Sequence, residues 1–232
     1  QGADVNGPQP DGATALHWAA HWNDLALTEA LIAAGAHVDA ANEYGVTPLS
    51  LAATNGSARV LDALLRAGAN ARAALPTGET ALMTAVRSGS VDAVNRLLAG
   101  GADPNAKQTS KGQTALMWAA TAQKPDIVRS LIASGTQVDA LSVTGFTALM
   151  FAAREGGLDL AQLLLESGAD INAVAQCQRT DAGGYAGVTT LCSAADGNTP
   201  LLVATVRGHV DLAIFLLEQG ANPDGAIDVA AY

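Results

Sequence analysis

Six glycines, Gly12, Gly45, Gly78, Gly112, Gly145 and Gly197, each stand two residues before a threonine that opens a short apolar run. Their steps of 33, 33, 34, 33 and 52 residues constrain the fold more than any other feature of the chain. The runs read T-A-L-H-W-A-A from Thr14, T-P-L-S-L-A-A from Thr47 and T-A-L-M-T-A-V from Thr80, with three further versions downstream. A fixed period in this range marks one supersecondary unit repeated and stacked, because such a unit cannot bury its apolar face alone.

A second glycine series, Gly35, Gly68, Gly101, Gly135, Gly168 and Gly220, follows the first at a constant 23 residues. The interval between the two markers predicts two helices per unit. Each threonine can N-cap the first helix by accepting from an orphan backbone N–H, and Pro48 and Pro200 sit at the first helical position, where a missing N–H costs nothing. In the second helix the apolar residues recur at three and four, as in Val60, Leu61, Leu64 and Leu65 or Ile127, Val128, Leu131 and Ile132, and the closing glycine supplies a left-handed C-cap.

These residues resemble the ankyrin repeat family, whose order of turn, T-P-L-H-x-A-A, second helix, L-L and G-A-D-V-N recurs over nearly the whole length. Gly-Ala-Asp stands at Gly2 to Asp4, Gly101 to Asp103 and Gly168 to Asp170; Gly35-Ala36-His37, Gly68-Ala69-Asn70 and Gly220-Ala221-Asn222 are close variants, and Gly135-Thr136-Gln137 is a looser one. The resemblance implies an all-α solenoid of about six stacked helix-pair units with projecting β-hairpins. Taken as a single array over residues 1–232, the units run about 9–41, 42–74, 75–108, 109–141, 142–193 and 194–226, with partial units at both ends. No cofactor is implied.

The family's histidine survives only at His17 and is replaced by Ser50, Met83, Met117, Met150 and Leu202. The methionines read as core that fills irregular volume rather than a soft-metal site, and Trp18, Trp118 and Phe151 as packing between units. His17 and His21 are four apart on one predicted helix, a spacing that can place two imidazoles on a metal, but no third ligand accompanies them. There is no P-loop, G-x-S-x-G or H-E-x-x-H, and no cysteine with a histidine partner. No catalytic residue is therefore assigned.

The formal charge of -10, from 22 acids and 12 bases, argues against nucleic acid, which requires clustered cations. Lysine is confined to Lys107, Lys111 and Lys124. No apolar stretch approaches the roughly 20 residues of a membrane span.

The step of 52 exceeds the period by 19 residues and enlarges one hairpin with an insertion at about Val174 to Cys192, which carries both cysteines, Cys177 and Cys192. Their shared location suggests a disulfide, whose closure of a loop of about 15 residues is worth about 3 kcal/mol in the chain-entropy account. A persistent disulfide would place the protein in a secreted, periplasmic or cell-surface setting; two reduced thiols in a cytoplasmic protein is the alternative.

What the resemblance implies for recognition is a surface of hairpin tips and first-helix ends along the concave face. The residues at those positions are His21, Trp22, Tyr44, Asn55, Arg87, Lys111, Phe146, Arg154, Glu155 and Arg207. Trp22, Tyr44 and Phe146 are the large aromatics, with Phe146 equally able to pack against an adjacent hairpin. Aromatic and guanidinium groups are the side chains that dominate interface energetics. The implied function is a non-catalytic scaffold for a protein partner. Two other readings are a structural protomer that self-associates head-to-tail through uncapped ends, and an accessory binding region of a larger enzyme.

Overall fold

The computed structural model describes residues 4–176 and 197–224. Among them are twelve helices in six pairs: α1 (Ala15–His21) and α2 (Leu25–Ala33), α3 (Pro48–Thr54) and α4 (Ala58–Arg66), α5 (Ala81–Ser88) and α6 (Val91–Ala99), α7 (Ala115–Thr121) and α8 (Pro125–Ala133), α9 (Ala148–Glu155) and α10 (Leu158–Glu166), and α11 (Pro200–Val206) and α12 (Val210–Glu218). The fold is an all-α repeat solenoid. The chain divides into two compact units, Gln1–Thr109 and Ser110–Tyr232. In the first, α1, α3 and α5 pack in succession, as do α2, α4 and α6; in the second, α7, α9 and α11 form one row and α8, α10 and α12 the other.

The caps explain why the helices begin and end where they do. Thr47, Thr80, Thr114, Thr147 and Thr199 each accept from the backbone N–H three residues on, at 3.2 to 3.4 Å. The closing glycines hold φ between 83° and 93°, a left-handed conformation that costs a side-chain-bearing residue about 1–2 kcal/mol. The turn between paired helices also needs positive φ. Gly56, Gly89, Gly156 and Gly208 provide it in four pairs, while Asn23 at 55° and Gln123 at 53° adopt it without being glycine.

Burial follows the repeat. The leucine two residues after each threonine is buried in every unit, as are the paired alanines Ala19-Ala20, Ala52-Ala53, Ala119-Ala120 and Ala152-Ala153. Met83, Met117 and Met150 are buried too, so the thioethers fill core. Small alanines let neighbouring helices approach closely, and the leucines supply the apolar area that holds the stack, each worth about 1.5–3 kcal/mol when fully buried.

The projecting fingers are closed by single turns. The N–H five residues before the threonine donates to the carbonyl one residue before it: Gln9 to Ala13, Asn42 to Val46, Leu75 to Glu79 and Ser142 to Phe146, at 2.8 to 3.0 Å. Among the described residues the one antiparallel bridge is Ala74 with Thr80, so these are turn-closed arms rather than long two-stranded ladders. The arms spend their other bonds on the neighbouring finger: Glu43 N–H donates to the Asp11 carbonyl, Thr109 to Thr77 and Val143 to Lys111. Pro76, with no N–H to donate, stands against Gly45 at the corresponding step.

Side-chain rivets add to the stack. The fourth residue after a closing glycine accepts from the backbone of the next unit: Asn6 from His37, Asp39 from Asn70, Asp139 from Asp170 and Asn172 from Asn222. At Arg72 the direction reverses, and the guanidinium donates to the Gly101 carbonyl at 3.0 Å.

At the long step, Ala175 N–H donates to the Asn198 carbonyl and Gly197 N–H to Ala175. These bonds stand where Asn42 with Val46 and Gly45 with Asn42 stand in the second unit. Val174 and Ala175 therefore keep the regular register, and by count the surplus residues fall in the sequence between Ala175 and Gly197 rather than from Val174 on. Cys177 and Cys192 lie outside the described residues.

Candidate recognition surface

In the first compact unit the surface is organised around His17. Its ring is buried, with Nε2 3.0 Å from the Val46 carbonyl and Nδ1 3.0 Å from both the Thr14 N–H and the Thr14 hydroxyl. The carbonyl only accepts and the amide only donates, so the proton sits on Nε2. Burial lowers the His17 pKa below its ordinary value, outweighing the Val46 carbonyl, the Asp11 carboxylate and the Ala40 backbone, which pull it up. The ring thereby ties the start of α1 to the second finger. With both nitrogens engaged, His17 has no lone pair left for a metal shared with His21.

The next residue of α1, Trp18, gathers the aromatic groups. Its ring centroid is 5.5 Å from that of Trp22 at a tilt of 35°, and His21 meets it edge-on at 5.8 Å. Trp18 is half-buried, whereas Trp22 is 66% exposed. Trp22 is thus an outward ring already held against a fixed one. Aromatic pairs of this kind contribute about 0.5–1.5 kcal/mol beyond their area. Tyr44, at the tip of the second finger, is 69% exposed.

The other positions in this unit are differently employed. The Asn55 carboxamide donates to the His21 carbonyl at the end of α1, which makes Asn55 a tie between pairs. Arg87, exposed at the end of α5, pairs with Glu79 at 2.7 Å, and Glu79 also accepts from the Thr84 hydroxyl at 3.2 Å. This tip-to-helix-end pair lies eight residues apart across the finger, outside helical periodicity.

The second compact unit uses its aromatics internally. Phe146 is half-buried and meets Phe151 of its own helix pair edge-on at 5.8 Å, while the Arg154 guanidinium lies 4.9 Å over the Phe151 ring. Arg154 also donates to Glu155 at 2.9 Å, and its backbone carbonyl meets His209 Nε2 at 3.1 Å. Arg154 and Phe146 are therefore packed parts of the structure, and Lys111, Glu155 and Arg207 are the exposed members of the set.

Chemically these two surfaces offer rings, hydroxyls, amides and paired charges. Among the described residues no three His, Cys, Asp or Glu side chains converge as a metal site requires. No described helix is long and apolar enough to cross a membrane.

Comparison with known proteins agrees with this architecture. The profile for ankyrin repeats (3 copies) matches residues 1–74, 43–108 and 82–175, and that for the ankyrin repeat matches 196–228. No curated protein matches the chain. Ankyrin repeats generally mediate protein–protein interaction and are generally non-catalytic. The matched segments cover most of the sequence, and they coincide with helix pairs whose threonine caps, left-handed glycines and buried leucines keep one register: the chain belongs to the ankyrin repeat family.

Proposed function

We propose that this protein is a non-catalytic scaffold that captures a protein partner through the finger tips and first-helix ends of its first compact unit, with Trp22 and Tyr44 as anchors. One observation carries the reading: two large aromatics are exposed there, Trp22 at 66% and Tyr44 at 69%, and Trp22 is already stacked on Trp18. A ring held in place before binding loses little freedom when it is covered, which favours tight association. Tryptophan and tyrosine are also the residue types most enriched among energetically dominant contacts. The neighbouring tips present the carboxylates of Asp11 and Glu43, and the Arg87 charge is answered by Glu79. A partner segment with an apolar or aromatic side chain next to a cation fits this surface.

The test is site-specific photocross-linking in extract of the source cell. A benzophenone side chain at position 44 is expected to yield a discrete adduct, and the same group in place of Arg59, on the second-helix face, is expected not to. Trp22→Ala should weaken capture at position 44 by tenfold or more, corresponding to about 1.4 kcal/mol. Equal adducts at both positions, or capture indifferent to Trp22→Ala, would overturn the assignment.

A further inference from the structure

The turn that joins paired helices takes a left-handed residue in every unit, and the column of equivalent positions reads Asn23, Gly56, Gly89, Gln123, Gly156 and Gly208. Asn23 and Gln123 hold φ of 55° and 53° with a side chain attached, a conformation that is strained for L residues and is kept where something offsets it. At Gln123 the offset is internal. Its carboxamide donates to the Ala120 carbonyl at 3.0 Å and lies against Gly157, and the residue is half-buried. Asparagine enters the left-handed region more readily than most residues because its short side chain can bond to the chain nearby. Asn23 makes no such bond: it is exposed, and among the described residues its carboxamide has no hydrogen-bond partner.

Stacking does not call for a side chain at this place. A Cβ at Gly56 would run into Ser88 and Ser90, and one at Gly156 into the His209 ring, all of the following unit. The neighbours that set the space at this column therefore belong to the following pair, which for Asn23 is α3 and α4. Asn23 is exposed with that pair in place. It directly follows Trp22, which closes α1, and the column of Trp22 is exposed in all six units. A strained and unpaired carboxamide thus stands beside the ring that anchors the recognition surface.

A carboxamide offers one acceptor oxygen and two N–H donors and carries no charge. Its complement is another amide. A peptide group inside a helix is already bonded to its own chain, whereas an extended segment leaves N–H and C=O free. We propose, resting on the scaffold reading above, that Asn23 is a specificity-determining contact: its Oδ1 accepts from, and its Nδ2 donates to, a peptide group of an extended partner segment whose apolar or aromatic side chain lies on Trp22. The ring then selects the side chain, and the carboxamide fixes the direction and register of the backbone that carries it.

The test uses the 232-residue chain with the benzophenone at position 44, titrated into extract of the source cell and scored by the chain concentration that gives half of the maximal adduct. Asn23→Gly installs the residue that four other units carry, so the thermal midpoint should be unchanged or higher. The half-maximal concentration should nevertheless rise about tenfold, as the loss of two hydrogen bonds implies. Asn23→Asp keeps the size and the left-handed tolerance but gives up the donor, and should lose a comparable factor. Capture by Asn23→Gly equal to that of the parent chain would overturn the proposal. So would a lowered midpoint, which would make Asn23 structural, or full capture by Asn23→Asp, which would place a donor rather than an amide opposite the position. Trp22→Ala separates this inference from the wider reading: if it weakens capture while Asn23→Gly does not, only the role of Asn23 falls, and if neither does, the recognition surface falls with it.

Discussion

Replacing His17 by methionine, the residue three other units carry at that position, should cost stability by an amount that depends on pH in a defined direction. The substitution keeps an apolar body of similar bulk in the core but removes two hydrogen bonds, from His17 Nε2 to the Val46 carbonyl and from the Thr14 N–H to His17 Nδ1, both at 3.0 Å. Each contributes about 0.5–1.5 kcal/mol net, and more where the abandoned group stays dry; together they predict a loss of about 2 kcal/mol at pH 7.5. The pH dependence follows from burial. The folded pKa of His17 lies below the ordinary 6.5, so protonation favours the unfolded chain. The histidine's contribution is complete above about 6.5 and declines as pH falls through the lowered folded value. The charged ring would also turn an N–H at Nδ1 toward the Thr14 amide, setting donor against donor. The stability gap between wild type and His17→Met should therefore narrow as pH falls from 7.5 to 5. Urea titrations followed by tryptophan fluorescence suit the measurement, because Trp18 shares α1 with His17 and Trp22 caps its end. All other titrating groups are common to the two proteins, so the difference isolates this ring. A gap that stays constant or widens on acidification would refute the reasoning, as would a variant as stable as wild type at pH 7.5.

Gly145→Ala should be far more damaging than Gly35→Ala, although both glycines have positive φ. A Cβ at Gly145 would run into the Gln176 backbone, while one at Gly35 meets nothing within 4 Å, so thermal denaturation should show about 1 kcal/mol for Gly35→Ala and at least about twice that for Gly145→Ala; equal losses would contradict the packing described. Asn55→Ala should lower stability by about 1 kcal/mol through the orphaned His21 carbonyl, and a variant that is fully stable but fails to capture a partner would show instead that the carboxamide acts in recognition. Cys177 and Cys192, which lie outside the described residues, are expected from the sequence to pair. Denatured protein should then resist thiol alkylation until it is reduced, and immediate labelling of both cysteines in freshly isolated native protein would exclude the bond.

The register of the repeat was legible because it is written twice, in turn glycines and closing glycines, and each has a local physical cause. A threonine cap needs a donor three residues away, and a left-handed glycine needs only its own backbone, so both can be read from a short window. The methionines were legible as core for the same reason, since their position in the unit decides their burial. The candidate surface was less so. Trp22 and Tyr44 are exposed as their positions imply, but Phe146, half-buried like Val46 and Glu79 at the equivalent positions, meets an edge-on partner in Phe151 where the second and third units carry Leu51 and Thr84. Arg87 and Asn55 were assigned to recognition on position alone, and each is engaged by a partner across a finger or in the preceding unit, at separations no helical periodicity reports. The departure of Val206 on α11 and Ile214 on α12 from their polar columns was in the sequence throughout. It becomes visible only when each residue is compared with its five counterparts, because an isolated valine or isoleucine on a helix reads as core. In a stacked array the informative unit is therefore the column of equivalent positions. A residue that breaks its column where stacking does not require the change marks what the array must do beyond holding itself together.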